Sequence, residues 1–294
     1  MGRYKEIRDD EIRIISSSQG KTGFRLWTWV CLAVAIVAIV LALLLLLNDQ
    51  KPDMEIDTTQ VVFEPSNEAA RETEADTKWL GNNIDTTKAY TEHLRDTIND
   101  IPLDIYIPHN AVPELVLGVP NLQDKSIVLT TQAADIRADN GKIVGAFVLN
   151  GKPLSWGLSK KGYCGIIDGK VTVGVADNSP LFEEATEKEG FFFRQYPLVD
   201  NGVLVENAPK GKSIRKALCD RDGEIMVIMS QTPESFHDFA QALVDMQVDN
   251  AIYLVGSTSF GYFRDYYDQL EIIYNKLRYG YQYENFIVWK AQFN

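Results

Sequence analysis

The sequence predicts an α+β protein, a twisted mixed and mainly antiparallel sheet with a few helices packed on it, preceded by a single transmembrane helix. Three observations predict this. Short apolar runs alternate with Asn140-Gly141, Asn150-Gly151, Asp168-Gly169, Asn201-Gly202 and Asp222-Gly223, dipeptides that supply the positive backbone angles of tight hairpins. Lys212 to Ser257 reads as strand, turn, strand, capped helix and strand. Leu26 to Leu47 carries no charge. The predicted organisation is a tail over 1–25, a spanning anchor over 26–47, a linker over 48–84 and one domain over 85–294.

In chain order, the tail is polar and mixed in charge. The apolar segment that follows is about 33 Å long as a helix at ~1.5 Å per residue, enough to cross a hydrocarbon core. A cleaved secretory signal is the competing reading, but its apolar region is shorter and ends at a small-residue site. Lys and Arg gather before the segment and only Lys51 closely follows it. The positive-inside rule then makes the chain a bitopic inner-membrane protein, amino terminus inside and domain in the periplasm or outside the cell. The linker is rich in Asp, Glu, Thr and Asn, with a short helix expected over 67–80.

Thr86 to Ile101 places Tyr90, Leu94 and Ile98 at helical spacing and predicts a helix. Strands are expected over 114–119, 126–132, 143–149, 162–167, 170–175, 190–196 and 203–205, with a short helix over 180–188. In the central stretch, Ile214 to Cys219 and Glu224 to Met229 form a hairpin. Thr232 is the expected cap, with Pro233 at the first helical position and Phe236, Phe239, Ala240 and Leu243 on one stripe. Ala251 to Val255 is a buried strand ending at Gly256-Ser257. A helix over 266–278 and a strand over 286–291 complete the chain.

The formal charge of -12 argues against a nucleic-acid binder, since neutralising phosphates needs clustered Lys and Arg, and it leaves room for a local cationic pocket. Cys164 and Cys219 allow one disulfide or two buried thiols, and their strand-like settings favour thiols. No Gly-rich phosphate loop, metal-spaced Cys and His cluster or nucleophile elbow is present, so no metal site is predicted and no cofactor is indicated. Arg194 follows three phenylalanines and Arg215 sits among apolar residues of a strand. A guanidinium so placed pairs with a local carboxylate or receives an anionic ligand. His237, near the start of the best helix, is either a satisfied structural residue or an acid and base.

The Arg215-Lys216-Ala217-Leu218 run, the Asp222-Gly223 turn, the helix after Thr232 and the strand Ala251-Ile252-Tyr253-Leu254 together resemble the phosphodiester glycosidase domain family. Tyr196-Pro197-Leu198-Val199 before Asn201-Gly202 matches the segment that precedes the arginine. The resemblance spans about Val112 to Gln292. It implies a membrane-anchored extracytoplasmic hydrolase of a sugar-1-phosphodiester or related envelope glycan, or a catalytically inactive relative that binds a glycan or an envelope partner. It nominates Asp135 and His237 for proton transfer, and Arg194, Arg215, Gly256 and Ser257 for substrate binding. Two family signatures differ: Val255 stands where an aspartate is usual, and Asp135 where an asparagine is usual. Glycoside cleavage ordinarily uses two carboxylates, so the first change removes one of the expected pair.

Overall fold

A computed structural model describes residues 87–256, 259–275 and 282–292. The chain divides into two units, Met1–Glu74 and Ala75–Asn294. The expected tail, the expected spanning segment 26–47 and the helix expected over 67–80 lie outside the described residues. Among the described residues no helix is long and apolar enough to cross a membrane. The two that form have 7 and 10 residues, where a span needs ~20. Both the expected membrane partnership through one transmembrane helix and the expected inner-membrane location are corrected on this finding.

The fold class is also corrected. The described residues form mostly antiparallel sheet, with two helices, and not an α+β arrangement of sheet and several packed helices. Among the described residues seventeen strands follow one another in chain order. The largest sheet has seven strands in the order β1 (Tyr90–Ile98), β2 (Ile101–His109), β13 (Glu224–Ser230), β12 (Lys216–Arg221), β14 (Asn250–Leu254), β10 (Pro197–Asp200), β11 (Val203–Leu204). A second sheet orders β16 (Leu270–Asn275), β15 (Phe260–Arg264), β4 (Ile127–Gln132), β17 (Asn285–Ala291) and β3 (Ala111–Leu117). The third orders β6 (Lys152–Trp156), β5 (Ala146–Leu149), β9 (Phe191–Gln195), β7 (Gly162–Ile167) and β8 (Lys170–Val175). Helix α1 covers Leu181–Glu187 and α2 Phe236–Asp245.

Two expected helices give way to strands. Tyr90–Ile98 pairs residue for residue with Ile101–His109 across a turn whose residues Asn99 and Asp100 have φ of 50° and 62°. Two consecutive positive φ values make a hairpin turn that leads straight back, so the ladder overrides the helical spacing of Tyr90, Leu94 and Ile98. Over 266–278, residues 270–275 pair with Phe260–Arg264 as strand β16. The cap of α2 is Ser235, whose hydroxyl accepts from the Asp238 N–H at 3.0 Å, and not Thr232. Glu234 is held extended by reciprocal backbone bonds with Ser213, and this delays the helix start.

The seven-stranded sheet is apolar on both faces. In β12, Ala217 and Cys219 face α2 with Phe236, Phe239 and Leu243, while Leu218 faces the core shared with the other two sheets, beside Phe193, Leu254 and Trp289. Alternation along one strand thus serves two cores. Cys164 and Cys219 are buried free thiols, and burial pushes both thiol pKa values up.

Candidate functional site

Strand β9 ends at Gln195 in the third sheet and β10 begins at Pro197 in the seven-stranded sheet. Tyr196 is the one residue between them. Its carbonyl accepts from the Tyr253 N–H at 2.8 Å, and its ring lies 5.5 Å from that of Phe236. The polar residues gather at this crossing.

Asp135 lies three residues beyond β4 in a segment fixed by Asn285. The Asn285 side chain accepts from the Ala134 N–H at 2.7 Å and donates to the Ala134 carbonyl at 3.2 Å. The Asp135 carbonyl accepts from Val144 N–H. Its carboxylate Oδ2 accepts from Lys160 Nζ, and the side chain is 32% exposed. Lys160 is buried, donates also to Gln195 Oε1 at 2.7 Å, and stands 4.4 Å over the Tyr196 ring. Burial lowers its pKa, and the Asp135 carboxylate opposes that shift. A buried ammonium is tolerated here because a carboxylate, an amide oxygen and an aromatic face all meet it.

Arg215, also buried, comes from the residue just before β12. Alternation turns it to the α2 face, where its Cζ lies 3.9 Å from the Phe236 ring centroid and 6.0 Å from that of Tyr253. Nε donates to the Glu234 carbonyl at 2.9 Å and Nη2 to the Gly211 carbonyl. The Tyr253 hydroxyl accepts from the Gly256 N–H at 3.1 Å. Its pKa is raised, first by burial and then by the Asp135 charge, while Gly256 and Arg215 pull it down. Glycine is required at 256 by proximity: a Cβ there would lie 2.2 Å from the Ile214 carbonyl oxygen.

Arg215 and Gly256 therefore both reach Tyr253, and the Lys160–Asp135 pair meets the ring of Tyr196, whose carbonyl is bonded to the Tyr253 N–H. Arg194 is placed differently. Its guanidinium is 2% exposed and donates to the Lys160, Ala176 and Asp177 carbonyls at 2.7, 3.0 and 3.0 Å. It pins the loop that carries Lys160. His237 is more than half exposed in the first turn of α2, and its Nδ1 meets Glu206 Oε1 at 2.7 Å. It borders a groove of about 390 Å³ with Lys212, Glu234 and Asp238, whose lining does not include Tyr253. Ser257 lies outside the described residues. Among the described residues no group of three or more His, Cys, Asp or Glu is arranged to hold a metal ion.

Sequence reasoning passed over Lys160, Tyr196 and Tyr253. The signal for Tyr253 was present: a polar-tipped aromatic in an otherwise apolar strand, three residues before the glycine turn. Lys160 carries no local signal, because its partners come from residues 135 and 195.

No protein-family model and no curated protein matches the chain. Solved structures do. The auto-inhibited catalytic domain of zebrafish N-acetylglucosamine-1-phosphodiester alpha-N-acetylglucosaminidase is 12% identical, with a TM-score of 0.49, over 72% of this chain and 86% of that one. A hypothetical protein from Synechocystis is 12% identical, with a TM-score of 0.52, over 69% of this chain and 62% of that one. At such identity the second likeness shows a shared fold alone, and the first carries no argument. What these comparisons show is a distant structural relationship.

Proposed function

We propose that the chain is a phosphodiester glycosidase-like hydrolase, acting on a sugar-1-phosphodiester or a related glycan. The observation that carries this reading is the aromatic cluster of Tyr196, Phe236 and Tyr253, flanked by the Arg215 guanidinium over Phe236 and by the Lys160–Asp135 ion pair whose ammonium stands over Tyr196. A guanidinium donates well to phosphate oxygens. Aromatic faces at Tyr196, Phe236 and Tyr253 suit the C–H face of a sugar, and an accessible carboxylate serves a hydroxyl or a water. The sequence resemblance points to the same chemistry. In this reading Arg194 contributes through the loop it pins.

A second reading is favoured by Val255. With an apolar side chain beside Gly256, the chain is a binding protein that retains the site and has lost turnover. A release assay with the full-length chain and N-acetylglucosamine-1-phosphate methyl diester separates the two. The hydrolase reading predicts sugar release that falls about 10²-fold or more in Arg215→Ala. Absence of release together with binding that Arg215→Ala abolishes selects the second reading, and absence of both release and binding overturns the site.

A further inference from the structure

The edge strand of the seven-stranded sheet, β1, and the β15–β16 hairpin of the second sheet border a groove of about 320 Å³. Tyr90 enters it from β1, and Tyr266 and Tyr267 enter it from the hairpin turn. The rings of Tyr90 and Tyr266 lie 5.2 Å apart at 89°, and those of Tyr266 and Tyr267 lie 5.5 Å apart, also at 89°. Successive perpendicular rings make the corner of a box and not a flat platform. The turn is fixed before any ligand arrives. The Asp265 carboxylate accepts from the Tyr267 and Gln269 N–H groups at 2.9 and 2.8 Å, and the Asp265 N–H donates to the Gln269 carbonyl at 3.1 Å.

Charge points the same way. Glu92, Asp265 and Glu271 line the groove, and among the described residues that line it there is no lysine or arginine. Lys125 and Arg264, the cations beside the turn, are drawn to Asp268 at 2.8 and 3.6 Å. One of the rings already faces an ammonium: Lys88 Nζ stands 5.0 Å from the Tyr266 centroid and donates to the Tyr266 carbonyl.

We propose that this groove is a binding site for an organic cation, an alkylammonium group of about the size of choline. The face of an aromatic ring attracts a cation, and rings set at right angles surround a rounded cation on several sides, whereas they offer a sugar only one flat face at a time. The carboxylates at the rim add complementary charge. No lining residue belongs to the cluster of Tyr196, Phe236 and Tyr253, so the inference stands apart from the hydrolase reading.

The test is calorimetric titration of the full-length chain with choline chloride, with its neutral isostere 3,3-dimethylbutanol and with N-acetylglucosamine. Choline is expected to bind, and each neutral probe to bind at least about tenfold more weakly. Tyr267 is 76% exposed and Glu271 is exposed, so changing either leaves the core intact. Tyr267→Ala lowers choline affinity about tenfold, Tyr267→Phe retains it, and Glu271→Gln lowers it about threefold. Sedimentation with phosphatidylcholine vesicles identifies the source of the cation. Co-sedimentation that choline competes away assigns a lipid headgroup, and choline binding without co-sedimentation assigns a free cation. Equal affinity for choline and dimethylbutanol, a preference for the sugar, undiminished binding in Tyr267→Ala or Glu271→Gln, or no binding of choline overturns the proposal.

Discussion

Lys216 neighbours the candidate site residue Arg215 and faces the opposite way, into the core between the sheets. Its Nζ donates to Thr131 Oγ1 at 2.7 Å and to Ser259 Oγ at 3.1 Å, and its cross-strand neighbours are Met229 and Leu254. The side chain is fully buried, and burial alone lowers its pKa to about 7. The unfolded chain therefore binds a proton that the folded chain does not, between about 7 and the ordinary lysine value of 10.5. The penalty is fully present below that window and disappears as pH rises through it, so stability climbs with pH there. Its upper bound is on the order of 5 kcal/mol. Urea titrations across this range are expected to show the rise in the parent and to lose it in Lys216→Met. An equal slope in both proteins contradicts the assignment. A lysine at an inward position of an apolar strand is visible in the sequence, but its two hydroxyl partners are not, because they come from residues 131 and 259.

The turn after β14 is the most constrained connection of the site. Gly256 lies against the Ile214 backbone and gives its N–H to Tyr253. Gly256→Ala forces the two segments apart and is expected to cost about 1–3 kcal/mol, read as a lower midpoint in thermal unfolding. An unchanged midpoint contradicts the close approach. Hairpins were the most legible elements. Asn150-Gly151, Asp168-Gly169, Asn201-Gly202 and Asp222-Gly223 all have positive φ at both residues and join paired strands. Asn99-Asp100 turns the chain in the same way without a glycine, and so the first hairpin read as a helix. The cap of α2 was misplaced for a related reason: a long-range bridge to Ser213 decides where the helix starts, and no local pattern records it.

At a larger scale, the candidate site is assembled where the chain changes sheets at Tyr196. One residue separates a strand of the third sheet from a strand of the seven-stranded sheet, and this brings the Lys160 loop against the α2 face. The sequence announced many short strands, but not their division among three sheets, since register and strand order depend on contacts far apart in the chain. Arg215 and Asp135 were legible as unusual residues, whereas the aromatic cluster of Tyr196, Phe236 and Tyr253 that Arg215 and the Asp135-bound Lys160 border was not. Net charge is a poor guide to such a place: the chain carries a formal charge of -12, yet the site gathers Lys160 and Arg215 against one carboxylate. The local balance is one positive charge, which suits a ligand bearing one negative charge, as a phosphodiester does. Calorimetric titration of the full-length chain with N-acetylglucosamine-1-phosphate methyl diester tests this most directly. The prediction is binding that falls at least about tenfold in Arg215→Ala and is not restored by Arg215→Lys. Equal affinity in the parent and in Arg215→Ala would contradict it.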